Sequence, residues 1–176
     1  MDPVGAVASV LQITKNAYAL GKYIHDVYEG AKRIDENVRS LASEVNGLAD
    51  SCKLVHDELH TVLTRSPPGA AGPLFDNDGR LGRCVDQQVV QCDSTLDELR
   101  RVVDVLWPRN GTLYQRVSKQ IDLQNSRAQT NEIRKRIRSH TDALHTILLV
   151  INIRVSHFAS DYTPQQLLGN LDDLKA

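Results

Sequence analysis

The sequence predicts an all-α protein: an antiparallel bundle of four to five long helices, with no sheet. Three observations carry this. Apolar residues recur at alternating three- and four-residue spacings along most of the 176 residues, which is the mark of a helix burying one stripe. No segment alternates apolar and polar residues with the period of two that a strand requires. Aromatic residues are only 5% of a chain that is 41% apolar, so the core must be aliphatic, which suits helices packing through Leu, Ile and Val. A chain of this size buries about two-thirds of its unfolded surface and needs no staple from a metal or disulfide.

The first helix starts at Met1-Asp2-Pro3, where Asp2 can cap free amides and Pro3 has no N–H to lose. It is expected to run to about Glu29, with Gly30 as a stop. Its core stripe is Val10, Ile13, Ala17, Leu20, Ile24 and Val27. A second apolar set, Val4, Val7, Ala8 and Leu11, covers other faces of its first three turns. The second helix carries the clearest signal. Ile34, Val38, Leu41, Val45, Leu48, Cys52, Val55, Leu59 and Val62 alternate at four and three without a miss, as in a coiled-coil type bundle helix.

Residues 66–80 hold three Pro and three Gly and are expected to form an exposed loop. The third helix follows with Val85, Val89, Cys92, Leu96, Leu99, Val103 and Leu106, and Trp107-Pro108-Arg109-Asn110-Gly111 ends it. Residues 112–160 contain no Pro or Gly, so one long helix is favoured over two, either kinked or protruding past the bundle near 124–131. Its stripe is Tyr114, Val117, Ile121, then Ile133, Ile137, Leu144, Ile147, Leu148, Ile151, Val155 and Phe158. Residues 1–160 thus read as one bundle. Residues 161–176, with Thr163-Pro164 near their start, read as a short helix or a linker toward further domains of a longer chain.

The three cysteines, Cys52, Cys84 and Cys92, form no C-x-x-C pair and are expected to be reduced, buried thiols. The N-terminus lacks the basic start of a secretory signal. The longest uncharged run, Pro3 to Thr14, is 12 residues, short of the ~20 that span a bilayer. A cytoplasmic location is expected.

The net charge of −1 gives no sign of a nucleic-acid partner, but it conceals an asymmetry: residues 107–160 carry a net +6. Arg127, Arg134, Lys135, Arg136 and Arg138 cluster there, against Glu132 alone. One reading is a solvated helix face. The sharper one is a lipid-binding patch, since each cation near an anionic leaflet contributes about 1 kcal/mol. Aromatic residues for stacking on RNA are almost absent from it.

Other constellations read blandly. His56 and His60 sit at i, i+4, but Asp57 follows the first histidine where a zinc protease needs Glu, so no metal site is expected. Asp76-Asn77-Asp78-Gly79 has its Gly at the wrong position for a calcium loop and reads as a turn. With no phosphate loop, no nucleophile elbow and no Cys/His dyad, no catalytic residue, cofactor or small-molecule substrate is assigned.

The first helix holds more apolar surface than one buried stripe requires. It is either central in the bundle or able to leave it and insert in a membrane. Val4, Val7, Ala8, Val10 and Leu11 are the residues that would insert.

The opening Met1-Asp2-Pro3-Val4, with Gly5 to Gln12, then Tyr23-Ile24, Val27-Tyr28, Ala31-Lys32-Arg33-Ile34 and Leu41 to Leu48, resembles the HeLo-like N-terminal domain of fungal STAND (NLR-type) proteins. The stretches Tyr114 to Leu123, Ile133 to His140 and Leu148 to Asn152 are similar to that family's last long helix. The resemblance spans about residues 1–158. It implies a helical-bundle effector domain of a fungal immune-type receptor, related to the HeLo and necroptosis-executioner bundles. Such domains oligomerise and disturb membranes through an N-terminal helix to cause regulated cell death. The implied partners are an anionic lipid membrane on activation and further copies of the chain. The family has no catalytic residues to carry over. One departure is that Lys15, not an acidic residue, is the first charge after Asp2. The alternative expectation is a non-catalytic adaptor bundle whose first helix never leaves.

Overall fold

The computed structural model describes residues 3–29, 36–65, 80–106 and 119–173. They form four helices: α1 (Pro3–Glu29), α2 (Glu36–Arg65), α3 (Arg80–Leu106) and α4 (Lys119–Asp173), and no strand occurs among them. The protein is an all-α bundle. Several expected punctuation residues lie outside the described ones: Asp2, Gly30, Ile34, the 66–79 loop with Asp76 to Gly79, Trp107 to Gly111, Tyr114 and Val117. Val27, Val38, Leu106, Ile121 and Phe158 lie within helices, but their side chains are outside the described set.

Helix α1 begins at Pro3, where a fixed φ and a missing N–H cost nothing. Its expected stripe, Val10 through Ile24, is buried, and Ala6 joins it one turn earlier. On α2, every described stripe residue from Leu41 to Val62 is buried, with Ala42 and Ala49 filling the flank. Such small residues let neighbouring helices approach. Gly21 of α1 is buried against Asn46 of α2, and a Cβ there would collide with the Asn46 side chain.

The polar contacts fix helix directions. Tyr18 reaches Asp50 and Gly21 meets Asn46, so α1 and α2 are antiparallel. Gln88 reaches His140 and Glu98 meets Arg136, so α3 and α4 are antiparallel too. Asn16 with Asp93 and Tyr23 with Asp104 make α1 and α3 parallel. Glu44 with Arg138 and Ser51 with His145 make α2 and α4 parallel. The packed pairs are α1–α2, α2–α4, α4–α3 and α3–α1. The helices therefore form a ring in which α1 faces α4, and α2 faces α3, across a diagonal. Chain neighbours run in opposite directions as expected, yet two lateral pairs are parallel.

Helix α4 differs most from the sequence reading. Its described part starts at Lys119, so the expected start near 112 lies outside the described residues, and it runs 55 residues without a break through the polar stretch 124–132. It also passes through Thr163-Pro164 to Asp173, where a separate short helix or a linker was expected. A proline within a helix removes one hydrogen bond while its fixed φ stays helical, so it weakens the backbone without forcing an end. At 1.5 Å per residue α4 is about 80 Å long, against about 40–45 Å for each of the others. Its described buried apolar residues span only Ile133 to Ile151. Cys52 and Cys92 are buried as expected, but Cys84 is exposed. Cys84 precedes Val85 by one residue and so falls off the stripe that Val85, Val89 and Cys92 define.

Candidate functional site

Helix periodicity separates the five expected membrane-active residues of α1. Val10 lies in the core at 0% exposure, on the same face as Ala6 and Ile13. Val7 is half-buried and packs against that core. Val4 (65% exposed), Ala8 and Leu11 (36%) lie at i, i+4 and i+7 and share the solvent face. Helix α1 is therefore peripheral, with a buried stripe and a second apolar strip turned outward. Tyr18, two turns beyond Leu11, continues the outer face.

Neutral donors on α1 reach carboxylates on both its neighbours. Asn16 Nδ2 donates to Asp93 at 3.2 Å, Tyr18 Oη to Asp50 at 2.5 Å, and Tyr23 Oη to Asp104 at 2.6 Å. The hydrogen bond to Asp50 is the main reason that the Tyr18 phenol is held above its usual pKa, with slight burial and the Asp50 charge adding to it. Asp50 also lines a groove of about 580 Å³ between α1 and α2, with His25, Arg39, Ser43, Asn46 and Gly47.

The basic cluster of α4 does not form one patch. Arg134 is only 15% exposed. Its Nε and Nη2 both bond the Glu44 carboxylate, and Nη2 also reaches Ser40 Oγ at 2.6 Å. Arg138 bonds the same carboxylate at 2.7 Å. Burial alone would raise the Glu44 pKa, but the hydrogen bonds from Arg134 and Arg138 outweigh it and hold the carboxyl below its ordinary value. Arg136 turns the other way, to Glu98 of α3 at 2.6 Å. Lys135 remains 77% exposed, loosely paired with Glu132 at 3.9 Å. The side chain of Arg127 lies outside the described residues. Three of the arginines thus hold α4 to α2 and α3, and helical geometry explains the split: positions 134 and 138 share a flank that 136 does not.

Two histidine–hydroxyl contacts have the outline of a nucleophile and its base. His145 Nε2 lies 3.0 Å from Ser51 Oγ, and His140 Nε2 lies 2.9 Å from Thr95 Oγ1. In both, the hydroxyl already donates to the carbonyl four residues back, Gly47 at 2.9 Å and Gln91 at 3.0 Å. The imidazole must then donate to the hydroxyl oxygen rather than take its proton, which is the wrong polarity for activating a nucleophile. Gln88 Nε2 donates to His140 Nδ1 at 2.8 Å. Burial, with the nearby Arg136 charge, lowers the His140 pKa and favours this neutral tautomer. His140 is a satisfied core histidine between α3 and α4.

His56 and His60 stack with ring centroids 6.0 Å apart, and His56 Nδ1 contacts Asp57 at 3.0 Å. Among the described residues no group of three or more His, Cys, Asp or Glu side chains is placed to hold a metal ion. Nor is any described helix long and apolar enough to cross a membrane.

The fold and these contacts define a four-helix bundle with one peripheral, outwardly apolar helix and one ion-paired helix. No protein-family profile, no curated protein and no solved structure matches the chain.

Proposed function

We propose that this bundle is the N-terminal effector domain of a fungal NLR-type receptor, with α1 as its membrane-active element. In this reading the chain oligomerises on activation, moves from the cytoplasm to the plasma membrane, and inserts α1 to trigger regulated cell death. The sequence resemblance supplies the class. The observation that carries the mechanism is the outward strip Val4, Ala8 and Leu11, apolar surface that the core does not use. An amphipathic helix with such a strip can seat in the interfacial layer of a bilayer. Lys135 and the exposed Arg138 are the cluster residues nearest to a free cationic surface.

The test is dye release from anionic vesicles by the purified protein, compared with Val4→Glu and Leu11→Glu variants. Both positions face solvent, so these changes leave the core intact. The reading requires leakage by the wild type and its loss in the variants. Absence of lipid binding, or leakage that both variants retain, overturns it.

A second reading is a non-catalytic adaptor or self-association bundle. It is favoured by the complete burial of Val10, Ala17 and Ile24, which binds α1 firmly to the core. A stable dimer with α1 protected and no affinity for lipid would support it.

A further inference from the structure

We propose that Cys52 and Cys92 are a redox-active dithiol, which a hydroperoxide closes to a disulfide that ties α2 to α3 through the centre of the bundle. The site lies in the core and is independent of whether α1 meets a membrane or a protein.

Three observations carry it. First, the helix register sets the two thiols at one height. Tyr18 meets Asp50, so in the antiparallel α1–α2 pair Asn16 stands level with Cys52, and Asn16 in turn meets Asp93, the neighbour of Cys92. Second, both thiols lie on core stripes, at 1% and 0% exposure, so each points inward from its own side of the diagonal between α2 and α3. There the Cys52 thiol donates to the Cys92 sulfur. Third, the pair is polarised. Gln88 Nε2 also donates to Cys92 Sγ, at 3.8 Å. The bond from Cys52, aided by that from Gln88, holds the Cys92 thiol below its ordinary pKa although burial opposes it. Donating that bond, together with burial, pushes the Cys52 thiol up. Two donors aimed at one sulfur mark Cys92 as the nucleophile, because the thiolate is the reactive form. Cys84, the third cysteine of the chain, is exposed and off the stripe.

The chemistry closes without help from another residue. The Cys92 thiolate attacks one oxygen of hydrogen peroxide, the O–O bond breaks, and hydroxide leaves and takes up a proton to become water. The Cys92 sulfenic acid then condenses with the Cys52 thiol: the S–S bond forms and the sulfenic oxygen departs as a second water. Two electrons pass from the two thiols to the peroxide. Both sulfurs are closed to solvent, so the oxidant must be of peroxide size and enter through local opening. Helices α2 and α3 are not among the packed pairs of the ring, so the disulfide adds a diagonal tie that the reduced bundle lacks. It also closes residues 53–91 into a loop, which restricts the unfolded chain.

The experiment is peroxide treatment of the whole folded chain, followed by trypsin and non-reducing mass spectrometry. Trypsin releases Cys52 in residues 40–53, and Cys84 with Cys92 in residues 84–100. The folded chain should link the two peptides, reversibly with dithiothreitol. The urea-unfolded chain should favour the shorter loop from Cys84 to Cys92, which leaves residues 84–100 closed on themselves. Cys84→Ser, a change at an exposed position, should keep the link, and its oxidised form should melt roughly 5–10 °C above its reduced form. In Cys84→Ser/Cys52→Ala, peroxide should leave a sulfenic acid on Cys92 that dimedone captures, whereas Cys84→Ser/Cys92→Ala should give none on Cys52. The proposal is overturned if the folded chain keeps both thiols free, links Cys84 instead, or pairs only between chains. It is equally overturned if folded and unfolded chains pair alike, if oxidation leaves the melting temperature unchanged or lower, or if dimedone marks Cys52 rather than Cys92.

Discussion

Helices α1 and α4 stand diagonally opposite in one bundle, yet each is secured in its own way. Helix α4 is bound by charge: Arg134 and Arg138 converge on Glu44 of α2, and Arg136 engages Glu98 of α3. Helix α1 is bound by a buried apolar stripe from Ala6 to Ile24 and by neutral donors on aspartates. The exposed apolar side chains add to the contrast. Val4 and Leu11 of α1 lie toward its start, and by the antiparallel register Leu54 of α2 falls in the same half of the bundle. The Glu44 ion pairs lie in the other half. One end of the molecule is cross-linked by ions, and the other is smoother and more apolar.

The strongest test of this contrast is matched core truncation. Ile24→Ala in α1 and Ile137→Ala in α4 each remove a fully buried side chain and should each cost about 3 kcal/mol. If the helices differ as described, the α1 variant loses most of its exchange protection within α1, and the α4 variant loses it throughout. Identical exchange maps would erase the distinction.

Next in size is Glu44→Ala, which strands the half-buried Arg134 and removes the anchor of Arg138. A loss of about 2 kcal/mol is expected by denaturant midpoint, with protection falling first along α2 and α4. A loss below about 0.5 kcal/mol would place this pair with ordinary surface salt bridges.

A smaller effect follows acidification. The folded state depresses the pKa of His140, so the unfolded chain takes up its proton first. The stability this provides is complete above an unfolded value of about 6.5 and is lost as pH falls through the folded pKa. The denaturant midpoint should therefore fall between pH 7.5 and pH 5.5 in the wild type, with a limit of about 1.4 kcal/mol per pH unit for one proton. The His140→Gln variant should lack that component. Smallest of all, Val4→Ser and Leu11→Ser should change stability by less than about 0.5 kcal/mol, because their side chains already face solvent.

Much of this molecule is legible in its sequence, but unevenly. The stripe of α2 predicts its buried face residue by residue, because a helix that buries one face repeats it at fixed spacing. The same rule gives α3 and the inner face of α1. It does not give the ring order, since a stripe says which side is buried and not what it is buried against. For that reason Arg134, Arg136 and Arg138 look like one patch in the sequence and become three interhelical bonds in the fold. Their partners Glu44 and Glu98 are remote in sequence, although each flanks a core position, Val45 or Leu99. His140 carried a usable signal: it stands at the in-register position between Ile137 and Leu144, where a core side chain was due. The outward strip on α1 was visible as excess apolar residues, but its division into Val10 inside and Val4 and Leu11 outside needed the packed neighbours to fix the phase.

The ring order has a mechanical corollary. Tension applied through the C-terminal end of α4 passes first into α2 and α3, along the guanidinium–carboxylate links. Helix α1 sits off that load path, at the opposite corner and at the other end of the chain. A tug on the C-terminal end of α4 is thus taken up by α2 and α3, the helices on which α1 sits, before it reaches α1, while a pull on residue 3 loads α1 directly.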